Sequence, residues 1–512
     1  MAQETELKLR LNADDLPRLL AHPLLQAVRP RRQRLFNTYF DTPGLALMAQ
    51  RIAVRERRIG RRTLLTVKTA GSSTGGLSQR GEWEGPTTPG VFDFEALVDH
   101  PDLARDLAAQ AWQLVPVFRT DFHRTTWQLE HGGGRIEVAL DQGFIRTGRG
   151  RGPQAMALLE LELELTQGPV DALLALALEL TRPAGATGSP TLWLLPDDRS
   201  KAQRGLALFQ GQPPHPVRAG EVPLRPDMGP VAAFRQAALQ ALAQLQANTH
   251  GLIDAAQGTM PPDPEFVHQA RVALRRLRTG LQLFDAFLPP RFVRRWRRHW
   301  KDLHGALAET RNWDVFATEL LPALAPPSGE PAPWSGWTAW AAAQRQTATG
   351  QVVARLGTSD HARAVLRFTR ELLALPEAHR PRRSLAGWAR QTVHRQHQRL
   401  RTHARQALRE DAEARHALRL DLKRLRYTQD FLASLLPAAA RRRSDAALRR
   451  AQDRLGHWND LDTALGLLER QPRQRPPGRR ALRQALERQL ARGLKALPTL
   501  EKALVSTPSP WR

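Results

Sequence analysis

Up to about residue 210, apolar and polar positions alternate with the period of two expected of β-strands. Candidate strands are 34–41, 52–58, 63–69, 79–84, 122–130, 135–141 and 158–166. Asp41-Thr42-Pro43-Gly44 closes the first as a turn, and Gly132-Gly133-Gly134 makes a hairpin of 122–130 and 135–141. The alternation is strictest in 158–166, where Glu160, Glu162 and Glu164 share one face and Leu159, Leu161, Leu163 and Leu165 the other. Glu4-Thr5-Glu6-Leu7-Lys8 opens the chain in the same way, aiming two carboxylates and an ammonium to one side. Arg55 and Arg57 repeat the device, as do Arg80, Glu82 and Glu84. Unpaired charge is costly to bury, so these faces meet either solvent or a charged cavity. As an exposed sheet the pattern is ordinary. Closed into a barrel, the same strands give a charged lumen, with leucines turned out towards helices such as 13–20, 102–114 and 170–180.

Beyond a Pro- and Gly-rich stretch at 210–230, which reads as a linker, the period becomes helical. His268, Arg271, Arg275 and Arg278 fall on one side of a helix, and Ala270, Ala273, Leu274, Leu277 and Leu281 on the other. The pattern recurs 148 residues later with His416, Arg419, Lys423 and Arg426 set against Leu418, Leu422 and Leu425. The same offset carries Leu307 onto Leu455 and Asp314 onto Asp462. A single basic stripe is usually just solvated; two equivalent stripes facing each other would make a basic groove. His394, His397 and His403 lack carboxylates at metal-ligand spacing and read as surface. Residues 322–333 read as a Pro-rich loop, and the tail after Pro498 is expected to fray.

Charge sharpens the division. The chain of 512 residues has a formal net charge of +26. Residues 1–220 hold 27 Lys and Arg against 24 Asp and Glu, whereas 221–512 hold 49 against 26. The natural partner of the second part is a polyanion: nucleic acid, an anionic membrane or a phosphate polymer. The absence of cysteine excludes disulfides, a thiolate nucleophile and Cys-ligated metal. With no leader pattern and no apolar run long enough to span a bilayer, a soluble cytoplasmic protein with no membrane partner is the expectation.

Carboxylates and guanidinium groups around one lumen suit one ligand class. Hard divalent cations such as Mg²⁺ take carboxylate and phosphate oxygens, and arginine holds phosphate through paired hydrogen bonds. Together they describe metal-assisted phosphoryl transfer. The opening E-T-E-L-K, Tyr39-Phe40-Asp41-Thr42-Pro43, Arg55-x-Arg57, Val67-Lys68 and Arg80-x-Glu82 resemble the CYTH superfamily of triphosphate tunnel metalloenzymes. Leu140-Asp141, the Glu160/Glu162/Glu164 strand and Ser200-Lys201-x-x-Arg204-Gly205 extend the resemblance, which is to the bacterial inorganic triphosphatase type and covers about 1–208. It implies an eight-stranded antiparallel tunnel barrel that binds triphosphate with Mg²⁺ or Mn²⁺. By position, Glu4, Glu6, Glu160 and Glu162 would hold the metal, and Glu4, Glu6 and Lys8 would form the catalytic set. Lys8, Arg55, Arg57, Lys68, Arg80 and Lys201 would hold phosphates. Arg119 and Arg124 join them, although their odd spacing stops both facing inward from one regular strand. Asp141 is either a further metal partner or a turn residue. Glu56, Arg58, Arg61 and Arg62 read as outer face or loop.

The two His-led helices resemble the CHAD domain, a helical module often fused behind CYTH domains; the resemblance covers roughly 230–500. It implies a bundle of helical hairpins whose basic cavity binds inorganic polyphosphate. His268, Arg271, Arg275, His416, Arg419 and Lys423 would line the cavity, with Arg278, Arg426 and Tyr427 nearby. One departure stands out: family copies often read Arg-Asp-x-Asp where this chain has Arg311-Asn312-Trp313-Asp314. The expected fold class is therefore α+β, a barrel at 1–208, a linker at 209–229 and an all-α domain at 230–505 with pseudo-twofold repeats near 230–375 and 380–505. The expected function is metal-dependent hydrolysis of inorganic triphosphate, with polyphosphate bound by the helical domain. Alternatives are thiamine triphosphate, a nucleoside triphosphate or ATP cyclisation, and a non-enzymatic protein targeting polyphosphate granules. The basic stripes carry few aromatics for stacking bases, so a nucleic-acid partner is not expected.

Overall fold

The computed structural model describes residues 2–148, 154–182, 191–324, 332–377, 384–407, 412–470 and 476–507. The chain forms two compact units. The first comprises Met1–His215 with Gln257–Met260 and Arg355–Ala374, and the second Pro216–Ala256, Pro261–Ala354 and Leu375–Arg512.

Eight strands close the barrel of the first unit: β1 (Ala2–Leu11), β2 (Arg31–Asp41), β3 (Ala53–Ile59), β4 (Arg62–Lys68), β5 (Leu77–Pro86), β6 (Val115–His131), β7 (Gly134–Thr147) and β8 (Gln154–Gln167), while two short strands, Ser72–Thr74 and Leu194–Pro196, pair onto β5 and β1. All neighbours are antiparallel, in the order β1-β8-β7-β6-β2-β3-β4-β5, and β5 pairs back onto β1 to close the barrel. β6 starts well before the expected 122, because its early inward positions include Thr120, a polar residue that breaks the simple pattern. Inside the barrel that hydroxyl accepts a hydrogen bond from Asn37 at 2.8 Å. The Asp41 turn is held by its own carboxylate, which accepts from the amides of Thr42, Leu47 and Met48 at 2.7–2.9 Å.

The barrel is inside out. Leu7, Leu9, Val138, Leu140, Leu161 and Leu163 face away from the lumen and pack on helix α1 (Asp171–Leu180), whose Leu173, Leu174, Leu176 and Leu180 are fully buried. Each such leucine contributes about 1.5–3 kcal/mol relative to exposure. The Ser359–Leu373 helix joins this cluster through Leu366, and its Arg370 grips Asp171 with two bonds of 2.7 Å. Its period marks it as a helix in the sequence, but the period does not say which core receives its apolar stripe. Phe94 and Leu107 cover Val54, Leu65, Val67 and Trp83 on β3, β4 and β5. Helix α2 (Lys201–Gln210) plugs the lumen. It begins with a Ser200/Gln203 capping box, and Ala202, Leu206 and Phe209 pack against Leu35, Phe118, Phe122 and Ile145.

The second unit is helical. Its helices include α3 (Pro230–Ala256), α4 (Pro264–Leu283), α5 (Pro290–Val315), α6 (Leu385–Ala407), α7 (Ala412–Phe431) and α8 (Ala438–Arg470). The start of α4, the turn Asp285–Phe287 and the start of α5 recur with the same 148-residue offset in α7, Ala433–Leu435 and α8. The two copies meet where Gly280 on α4 lies against the ring of Phe431 on α7; a Cβ at Gly280 would sit 3.0 Å from it.

Three expectations need correcting. The linker after Pro216 is docked, not free: Val222 and Leu224 are buried, and Asn248 bonds the Val217 backbone at 3.1 and 2.9 Å. Irregular backbone can cover apolar surface without showing any period. His397 is buried, 3.1 Å from the Thr507 carbonyl, and His403 lies against Asp421 rather than in solvent. Beyond Pro498 the chain continues as a helix, Leu497–Val505, with Leu500 and Leu504 buried. Most of the expected Pro-rich loop, 325–331, lies outside the described residues.

Candidate active site

A cavity of about 550 Å³ enters the barrel. Glu4, Glu6, Lys8, Arg55, Arg57, Lys68, Arg80, Arg124, Glu162 and Lys201 all line it. Strand parity sets this wall, since alternate residues of each strand share a face. Each cation just named is matched to a carboxylate. Glu4 accepts from Lys68 at 2.9 Å and from Arg80 at 2.9 Å; Glu6 accepts from Lys8 at 3.0 Å and Arg80 at 2.6 Å. Arg55 faces Glu82 at 3.6 Å, and Arg57 faces Glu84 at 3.2 Å. Arg124 grips Asp141 at 2.7 and 2.6 Å and reaches Glu162 at 2.6 Å.

α2 delivers the last cations. Lys201 Nζ lies 2.7 Å from Asp141 and 2.9 Å from Glu162 and also bonds Glu160, while Arg204 bonds Glu160 from the same helix. Gly205 is required beside them, because a Cβ there would run into the Phe118 ring.

Electrostatics separates two regions. Burial, then repulsion from Arg55, pulls the Arg57 guanidinium down to about 10. Burial, then the carboxylate of Glu4, pushes Glu164 up to about 7. Burial opposes charge on Lys201 and Arg80, yet the acids around each win and raise both. Burial raises Glu160, whereas Lys201 and Arg124 outweigh burial and hold Glu162 well below the carboxylate range. Arg57 thus stands short of negative charge, and Glu164 short of positive charge.

The donor set suits a hard divalent cation. Asp141, Glu160 and Glu162 bring oxygens within 4.8 Å of one another, but the Lys201 ammonium lies among them. Glu164 makes no ion pair among the described residues, stands beside Glu6 in the β1–β8 register and feels Glu4, Glu82 and Glu6. The carboxylates at that end therefore fit a hard divalent cation.

The structure corrects one tunnel assignment and locates two further residues. Arg119 points outward and is exposed, since Phe118, Thr120 and Phe122 take the inward parity of β6. Glu160 lies behind Lys201 and Arg204, outside the cavity wall but within one acidic cluster with Asp141 and Glu162. Asp141 is a fully buried mid-strand residue, so of its two alternatives the turn is excluded, and its carboxylate stands with Glu160 and Glu162. Sequence reasoning gave no site role to Glu82, Glu84, Glu164, Tyr39 or Arg204. The first three share the parity of assigned residues, and that signal could have found them.

In the second unit, His268, Arg271 and Arg275 on α4 approach Arg419 and Lys423 on α7. Burial, then Arg275, pulls Arg271 down to about 10, and burial with Arg275 and Arg419 pulls Lys423 down to about 6. Arg275 bonds the Tyr427 hydroxyl, and Arg426 lies 5.7 Å from the same ring. Arg278 is half-buried near Arg275 and Arg297. His416 is exposed, unlike its half-buried counterpart His268. His304 on α5, missed in the sequence, is pulled down to about 3 by burial and by Arg271, Arg275 and Arg278.

Comparison with known proteins supplies the family. The CYTH domain family matches residues 2–189 and the CHAD domain family residues 236–469. An inorganic triphosphatase of Haemophilus influenzae is 36% identical over 163 residues, 29% of this chain; the match spans 42% of that relative's length. Among solved structures, the CHAD domain of Ricinus communis is 28% identical with a TM-score of 0.47, over 58% of this chain and 98% of its own. An adenylyl cyclase-type protein from Hippeastrum, reported to have a dominant triphosphatase activity, is 20% identical with a TM-score of 0.29, over 41% of this chain and 97% of its own. The chain is a two-domain protein that joins a CYTH domain, of the triphosphate tunnel metalloenzyme family, to a CHAD domain.

Proposed function

We propose that the barrel hydrolyses inorganic triphosphate with the help of Mg²⁺ or Mn²⁺, and that the basic cluster of the second unit binds inorganic polyphosphate. The observation that carries the first reading is the single cavity in which Arg55, Arg57, Lys68, Arg80 and Arg124 converge opposite a row of carboxylates. In the free protein each of these cations is already held in place by an acid, so little reorganisation is needed when phosphate oxygens replace that acid. Water would attack the terminal phosphorus, the bridging P–O bond would break, and orthophosphate and pyrophosphate would leave. Lys8 and Arg80, fixed on Glu6, are placed to neutralise charge that develops on the oxygens. Glu4, Glu6, Glu162 and Glu164 would hold the cation. When bound, a divalent ion draws charge from phosphate oxygens and lowers the pKa of a water.

The second reading rests on the mutual repulsion of Arg271, Arg275, Arg419 and Lys423, which a polyanion relieves. The deciding assay is phosphate release from inorganic triphosphate, ATP and thiamine triphosphate, each with Mg²⁺, Mn²⁺ or chelator. Metal-dependent turnover favouring inorganic triphosphate, lost in Glu4→Gln, is expected. No turnover on any substrate, with polyphosphate still bound, would leave a binding protein.

A further inference from the structure

The lumen accounts for one face of the barrel wall; the other face of β3, β2, β6 and β7 carries a second pattern. Register puts Phe36 beside Arg58 on β3 and Asp121 on β6, and Asp121 beside Phe144 on β7. Two residues along β6, Arg119 stands directly opposite Arg146. The Arg58 guanidinium lies 5.0 Å from the Phe36 ring, Arg119 lies 5.9 Å from the same ring, and Arg146 lies 4.9 Å from Phe144. Phe144 is 45% exposed, and Arg58, Arg119 and Arg146 are all exposed.

The two carboxylates on this face, Asp121 and Glu56, do not match its four arginines, Arg34, Arg58, Arg119 and Arg146. Asp121 is already bound through both oxygens to Arg34, at 2.9 and 2.7 Å. Glu56, next on β3, accepts from the Gly90 amide at 2.6 Å. Arg58, Arg119 and Arg146 make no ion pair among the described residues. Like charges directly opposite on neighbouring strands are destabilising, so Arg119 facing Arg146 has a standing cost. A surface shaped for stability would carry an acid at one of the two.

We propose that this outer sheet face binds single-stranded nucleic acid. Guanidinium groups take backbone phosphates, and exposed rings beside them take the flat faces of unpaired bases. A duplex hides those base faces. An inorganic phosphate chain would use the arginines and leave the half-buried Phe36 and the exposed Phe144 idle, so the rings favour the nucleic acid. This face lies outside the lumen, and the proposal stands independently of the triphosphatase reading.

The test uses the full chain and a fluorescein-labelled single-stranded oligonucleotide, with anisotropy read across a salt series. The second unit adds a basic background, but it is unchanged in the variants below. Arg119→Gln/Arg146→Gln is expected to reduce the slope of log K against log salt by about 1.4, from two phosphate contacts at about 0.7 each. Phe144→Ala is expected to weaken binding about tenfold. Ultraviolet cross-linking should label peptides carrying Phe36 or Phe144. The double variant should melt no lower than the parent, because the like-charge pair is gone, and triphosphate hydrolysis should be unchanged. Affinities within twofold of the parent, with cross-links confined to the second unit, would overturn the proposal. So would variants that lose polyphosphate binding while keeping the oligonucleotide.

Discussion

Lys201→Met is the most informative single change in the tunnel. The ammonium sits on Asp141 at 2.7 Å and Glu162 at 2.9 Å and also bonds Glu160, all three acids being within the sealed end of the lumen. Methionine keeps the volume and removes the charge. The acids keep Arg124 and Arg204 but lose the cation they share. Breaking a buried ion pair by removing one partner costs about 3–5 kcal/mol. For a unit of this size each kcal/mol lowers Tm by about 2–4 °C, so the first unit should melt roughly 6–20 °C lower.

The dependence on pH and metal separates this account from simple loss of packing. In the parent, Glu162 is held well below its unfolded value, so its contribution is present above that value and is lost as pH falls. In the variant the stranded carboxyls rise above their unfolded values, and acid relieves the strain. The deficit should therefore narrow as pH falls from about 8 to 5. The carboxylates are oxygen donors within 4.8 Å of one another, so Mg²⁺ should raise the variant's Tm more than the parent's. Calorimetry that resolves the two units gives both readings. A loss under about 2 °C, or a deficit that is the same at every pH and with Mg²⁺, would refute the argument.

Other changes test neighbouring steps. Gly205→Ala drives a methyl group into the Phe118 ring, so α2 should shift, and triphosphate turnover should fall more than stability, read as kcat beside Tm. Arg51 adopts φ 59° at the end of a helical turn and lines the cavity. Arg51→Gly should stabilise by about 1 kcal/mol in urea unfolding while raising KM, because backbone strain and a phosphate-attracting cation leave together. Lys423 is pulled down to about 6, so it must take up a proton when a polyanion binds. Polyphosphate affinity measured by calorimetry should fall as pH rises from about 6 to 8, and Lys423→Met should flatten that profile.

Much of this architecture was legible because one rule, alternation, was applied to unusual residues. Glu160, Glu162 and Glu164 on one face and leucines on the other leave few solutions, and the barrel with helices outside is the one observed. The helical repeat was legible for a similar reason: its 148-residue offset appears unchanged in the starts of α4 and α7. Docking was not legible. The Ser359–Leu373 helix shows the same apolar stripe whichever core receives it, and 216–229 shows no stripe although Val222 and Leu224 are buried.

Parity has a further limit, and the metal end of the tunnel exposes it. Alternation assigns a residue to a face but gives no depth along that face. In a closed barrel, depth comes from register, which is set by how tilted strands meet at closure. Here Glu164 stands beside Glu6, Glu162 beside Lys8, and Glu160 beside Arg10. A shift of two residues would preserve every face and exchange these partners, and the sequence contains nothing that forbids it. Parity alone therefore does not rank Glu160, Glu162 and Glu164 as metal ligands. Charge balance separates them: Glu160 is bound by Lys201 and Arg204, while Glu164 has Glu4, Glu82 and Glu6 around it against the pull of Lys68. Partial burial and the neighbouring acids oppose charge on Glu164, so Glu164→Gln should stabilise the metal-free barrel and weaken Mn²⁺ binding measured by electron paramagnetic resonance. If it leaves Mn²⁺ affinity unchanged, the cation sits deeper, among Asp141, Glu160 and Glu162, and Lys201 must move aside to admit it.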